Sequence, residues 1–184
     1  MATSRQIHRR RFLRAAATAA AACSIPSCAR VGGPPVFLSE SEARTLDAVC
    51  ERLIPQDQDP GASKTGVVRF IDLQLAGHNR MYQDLYRRGI RALDATARGL
   101  HGKPFADLDP ERQDALLVLV EEGEASAAAW QGVSQKEFFS AVLDHAMQGF
   151  YGDPRHGGNA GAASWKMLGI SYPPVRGRDG YEFG

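Results

Sequence analysis

Apolar residues three and four positions apart recur along most of this chain, and that spacing limits its fold more than any other feature. The plainest case runs from Met81 to Leu100, where Tyr82, Leu85, Tyr86, Ile90, Leu93, Ala97 and Leu100 form one stripe. Arg80, Asp84, Arg87, Arg91, Asp94 and Arg98 take much of the remaining surface, as on a solvated helix face. Gly102 and Pro104 stop the pattern. Strict alternation, the mark of a half-buried strand, is not sustained anywhere. The expected class is therefore all-α: a small helical bundle with a glycine-rich C-terminal loop and an extended tail.

The remaining helices are read from their boundaries. Ser39-Glu40-Ser41-Glu42 forms a capping box, and the helix it opens runs to about Ile54, where Pro55 ends it. Residues 55–65 are polar and read as a loop. Asp57 and Asp59 lack the EF-hand spacing and its closing glutamate, so they suit a solvated turn. Gly66 to Ala76 reads as a helix with Val67, Phe70, Ile71 and Leu75 inward. Taken alone, its run Val-Val-Arg-Phe-Ile-Asp-Leu also fits a strand, but its neighbours are helical. Asp109-Pro110 opens the next helix with a cap and a first-position proline. Ser134 and Glu137 predict a second capping box. Phe138, Phe139, Val142, Leu143, Ala146, Met147 and Phe150 continue the stripe that follows.

That stripe feeds into residues 149–169, which hold six glycines together with Phe150, Tyr151 and Trp165. So many glycines allow dihedrals closed to other residues. A solvated linker has little use for such large aromatics, so the stretch predicts an ordered loop. Ser164 is expected to cap a short turn carrying Trp165, Met167 and Leu168. Residues 170–184 show no helical period and predict an extended strap.

The N-terminus has a different character. His8-Arg9-Arg10-Arg11-Phe12-Leu13-Arg14 fits a twin-arginine export signal, with Arg9, Arg10, Phe12 and Leu13 in the diagnostic places. The alanine-rich segment Ala15–Ala22 follows, too short to span a bilayer. Ser27-Cys28-Ala29 offers a cleavage site after Ala29. Lipidation at Cys23 or Cys28 is the alternative, in poorer sequence context. The expected organisation is a signal over 1–29, a linker over 30–38, a helical domain over 39–169 and the strap over 170–184. Beyond residue 29, 17 of the 22 Lys and Arg face all 21 Asp and Glu, a net of −4 that argues against nucleic acid as partner. Cleavage leaves Cys50 as the one thiol, a buried side chain by its helical position or a disulfide to a partner.

Reactive constellations are sparse. Gly-x-Ser-x-Gly, Gly-x-Gly-x-x-Gly and phosphate-binding Gly-Lys-Ser/Thr do not occur. No two of His8, His78, His101, His145 and His156 stand four apart. Asp153 and His156 could hold a metal only with groups from elsewhere. On the residues alone, three readings stand: a recognition subunit, an exported metal protein or enzyme using Asp153, His156 and Asn159, or a stand-alone helical scaffold.

Gly-Phe-Tyr-Gly-Asp-Pro-Arg-His-Gly-Gly-Asn, followed by Ser-Trp-Lys-Met-Leu-Gly, resembles the C-terminal signature of the gluconate 2-dehydrogenase subunit 3 family. The matched positions are Gly149, Phe150, Asp153, Pro154, Gly157, Gly158, Asn159, Trp165 and Gly169. His156 stands where that family often has tyrosine, and Ser164 where glycine is common. The likeness implies a non-catalytic small subunit of a dehydrogenase acting on CH–OH groups, without choosing among gluconate, glucose, fructose or related glycosides. It implies no cofactor in this chain and FAD in a glucose-methanol-choline-type catalytic subunit. It also implies a cytochrome c subunit, and folded co-export to the periplasm by the twin-arginine translocase. The partner-facing residues it implies are Phe150, Asp153, Pro154, His156, Gly157, Gly158, Asn159, Trp165 and Tyr172.

Overall fold

The computed structural model describes residues 33–171. Among them are seven α-helices and no strand, as the helical period predicts: α1 (Glu40–Leu53), α2 (Ala62–Thr65), α3 (Val67–Ala76), α4 (Gln83–His101), α5 (Pro110–Glu122), α6 (Gln135–Tyr151) and α7 (Ala163–Met167). Turns of 3-10 helix lie at Arg80–Tyr82, Phe105–Asp107, Pro154–His156 and Ala160–Ala162. None of the described helices is long and apolar enough to cross a membrane.

The boundaries follow local chemistry. The Ser39 hydroxyl accepts the Glu42 N–H while the Glu42 carboxylate takes the Ser39 N–H, completing the capping box of α1. Asp109 caps α5, with Pro110 just inside. Ser134 accepts from the Glu137 N–H at 3.3 Å, but the reciprocal half of the expected second box is not formed. The 55–65 loop is shorter than predicted, because α2 forms at its end and packs on α1. Glu51 fastens it, one carboxylate oxygen accepting the Gln56 N–H and the other the Ser63 N–H, both at 2.9 Å. Asp57 closes its own turn on the Asp59 N–H.

Two helices organise the bundle. α1 touches each of α2 to α6, and α6 packs against α1 through α5 and α7. Ala43, Leu46, Val49 and Cys50 of α1 lie in the core beside Phe138, Val142 and Ala146 of α6. Close approach is bought by glycine. A Cβ on Gly89 of α4 would stand 2.1 Å from the Phe138 ring, and one on Gly149 of α6 would stand 2.9 Å from the Phe70 ring of α3. Trp130 closes the α4–α6 side, its indole N–H donating to the Thr96 hydroxyl at 3.1 Å.

All ten residues of α3 are buried or half-buried. Its buried apolar residues face α1 and α6, while Arg69, Asp72 and the half-buried Leu73 share the outer face by their spacing. Non-helical chain covers that face. The buried Asp72 carboxylate accepts three successive backbone N–H groups, Val36 at 2.7 Å and Phe37 and Leu38 at 2.9 Å each. Arg69 donates to the Pro34 carbonyl at 3.0 Å, and the Arg87 guanidinium lies 4.4 Å from the Phe37 ring centre. The segment expected as a linker is thus tied down over its described part.

Replacing Asp72 with Ala leaves three amides without their acceptor. We expect a loss of about 2–3 kcal/mol in chemical denaturation, together with new protease cleavage before Ser39. An unchanged melting curve and an uncut 33–38 segment would show that the carboxylate does not hold it.

Candidate functional site

Beyond α6 the chain turns back and lies on the helix it has just left. Gly158 meets the Gly149 backbone so closely that a Cβ there would stand 2.2 Å from the Gly149 carbonyl oxygen. Gly157, at φ +97°, lies over α3, where a Cβ would come 2.7 Å from a Leu73 methyl. Asn159 then fixes the return. Its amide donates to the Gly152 carbonyl at 2.9 Å and its side-chain oxygen accepts the Ser164 N–H at 3.0 Å. One buried side chain thereby bridges the end of α6 and the start of α7. Asn159 and Ala162 adopt left-handed dihedrals, which Asn tolerates and Ala resists. The Trp165 indole N–H donates to the Tyr151 carbonyl at 2.7 Å, completing the closure. The stretch is an ordered loop, held by its glycines and by Asn159.

This geometry sorts the predicted partner-facing residues into scaffold and surface. Phe150 is 3% exposed and packs in the core, so it is not an anchor. Gly158 and Asn159 are buried and act through the backbone they hold. Asp153, Pro154, Gly157 and Trp165 are half-buried, and His156 is exposed. Ser164 is not a cap: it lies inside α7, its N–H is taken by Asn159, and its buried hydroxyl has no hydrogen-bond partner. Arg9, Arg10, Phe12, Leu13 and Tyr172 lie outside the described residues.

The outward apolar groups are ones the sequence pattern did not single out for this role. Met147 and Tyr151 stand one turn apart on the exposed side of α6, and Tyr151 is 39% exposed. Met167, Leu168 at 55% and Ile170 at 47% follow on α7 and its exit, the segment pinned to Tyr151 through Trp165. Met147 was expected in the inward stripe, but Phe138, Val142, Ala146 and Gly149 set which side of α6 faces the core, and it falls outside them.

Little here is arranged for reaction. The Arg155 N–H, together with the Arg155 guanidinium that bonds both Asp153 oxygens, holds this carboxyl below its ordinary range and occupies it. Among the described residues, no group of three or more His, Cys, Asp or Glu is placed to hold a metal. Cys50 is fully buried, and burial, with Asp47 and Glu51 nearby, pushes its thiol up. A disulfide from Cys50 to a partner is therefore closed off while the core is intact.

One buried polar network escaped the sequence reading. His145 of α6 faces the Tyr86 hydroxyl at 2.8 Å through Nδ1, and the Asn79 amide nitrogen at 3.3 Å through Nε2. Tyr86 also reaches the Ala141 carbonyl at 3.3 Å. Every donor finds an acceptor if Asn79 donates to Nε2, Nδ1–H donates to Tyr86, and Tyr86 donates to Ala141. That arrangement requires a neutral imidazole. Burial pushes His145 below its ordinary 6.5, partly opposed by Asp144. The one advance signal was a histidine set among apolar positions of α6.

The profile of the family described as gluconate 2-dehydrogenase subunit 3 matches residues 40–172. No curated protein and no solved structure matches the chain.

Two measurements test the geometry. Gly158→Ala should cost about 1–3 kcal/mol, because its Cβ meets main chain that cannot step aside, and should speed amide exchange at Ser164. Wild-type melting would refute the close approach. For His145, the unfolded chain takes the proton first, so the stability it contributes is full above pH 6.5 and is lost as pH falls through its lower folded value. His145→Gln should flatten stability against pH as the pH falls below about 6.5, where one proton is worth at most about 1.4 kcal/mol per pH unit. An equally steep variant would show that another group titrates there.

Proposed function

The chain belongs to the gluconate 2-dehydrogenase subunit 3 family, and on that premise we propose that it is the non-catalytic member of an exported dehydrogenase complex, binding and stabilising a flavoprotein subunit and taking it across the membrane folded. Membership makes it a subunit of a multi-subunit dehydrogenase; the escort role is our reading of its parts. The observation that carries it is the fixed loop with apolar side chains standing around it. A preformed surface loses little entropy on docking, and Tyr and Met are favoured residues at protein interfaces.

FAD is assigned to the partner. The partner is a glucose-methanol-choline-type subunit that acquires FAD in the cytoplasm and so must be exported folded. Arg9 and Arg10 supply the export signal, the twin-arginine translocase is the carrier, and the complex works in the periplasm. A cytochrome c subunit takes the electrons. Met147, Tyr151, Met167, Leu168 and Ile170 supply the apolar contact.

Co-expression tests the reading. The flavoprotein made without this chain should remain in the cytoplasm, and Arg9→Lys with Arg10→Lys should strand both. Arrival of the flavoprotein in the periplasm in the absence of this chain would overturn the escort role.

A further inference from the structure

We propose that the docking surface continues from the glycine loop across α3 onto a second, N-terminal strap at residues 33–36, so that the chain just after the export signal is itself part of the contact. The inference rests on the escort reading for the identity of its partner. Arg69 joins the two regions. Its guanidinium donates to the Pro34 carbonyl at 3.0 Å and stands 3.5 Å from the Asp72 carboxylate, while its stem lies 3.7 Å from the point a Gly157 Cβ would occupy. Strap and loop therefore meet on one strip of α3.

The strap's fastening is out of proportion to a tether. A tether needs only length, whereas three backbone N–H groups of this segment donate hydrogen bonds to a buried carboxylate and one of its carbonyls accepts from a guanidinium. What those bonds hold still is apolar: Pro34 is exposed, and Val36 is 62% exposed although its N–H is the one closest to Asp72. Apolar side chains facing water from a rigid backbone are preorganised for burial against another surface. The occupant is the folded flavoprotein partner, presenting an apolar groove to Pro34 and Val36.

The test is retention of the co-expressed flavoprotein on the tagged, full-length chain, in Val36→Gln and Tyr151→Gln. Glutamine keeps bulk at residue 36 and adds no charge near Asp72, so the melting temperature of the free subunit should not change. Loss of about tenfold or more in affinity in both variants is expected, each being a contact worth about 1.4 kcal/mol or more. Full retention by Val36→Gln beside release by Tyr151→Gln would remove the strap from the interface and leave the escort reading standing. Full retention by both would overturn the interface as a whole.

Discussion

Gly158 resting on the carbonyl of Gly149 is the contact from which the proposed recognition surface is built. Main chain meets main chain there, and no side chain can separate them. The contact places Gly157 over α3 and brings Asn159 within reach of both Gly152 and Ser164. Two hydrogen bonds to a buried amide then hold a turn that includes Ala162 at a left-handed angle costing about 1–2 kcal/mol. The fold bears that strain locally because the rest of the turn is fixed. The outcome is a loop whose exposed neighbours, Tyr151 and Leu168 among them, stand in set positions before any partner arrives.

A second constraint works from the other side of the same helix. Asp72 is a buried carboxylate whose lone pairs are met by three amides and a guanidinium, so its burial costs little. Through it α3 carries the strap on one edge and the loop on the other. A helix apolar on several sides must be covered all round. Here α1 and α6 cover the inside, and two irregular segments cover the outside. That coverage brings the chain leading from the proposed export signal to the loop proposed to meet the partner.

What could be read beforehand was whatever depends on neighbours in sequence. The stripe of α4 as far as Ala97, the box at Ser39 and the cap at Asp109 all act within one or two turns, and each is where the residues indicate. So is the ordered loop, since glycines mixed with aromatics have few other uses. Leu100, expected to end the stripe of α4, is 57% exposed because the core stops a turn earlier. Long-range terms were hidden. Asp72 bonds amides more than thirty residues away, and nothing in Val-Val-Arg-Phe-Ile-Asp-Leu announces it. The four residues of α2 are too few to show a period. Phe150 and Tyr151 are adjacent and both aromatic, and which is buried depends on how Phe70 enters the notch at Gly149. Ser164 looked like a cap because serine often is one, but the turn before it lets Asn159 reach the amide first.

The central claim is that the surface is preformed and that binding covers it without rebuilding it. Hydrogen exchange on the subunit alone and on its complex with the flavoprotein tests this most directly. Amides at 158–164 should be slow in both states, and complex formation should add protection at 33–36, 151–157 and 167–170. Fast exchange at 158–164 in the free subunit, or new protection confined to the arginine face of α4, would contradict it.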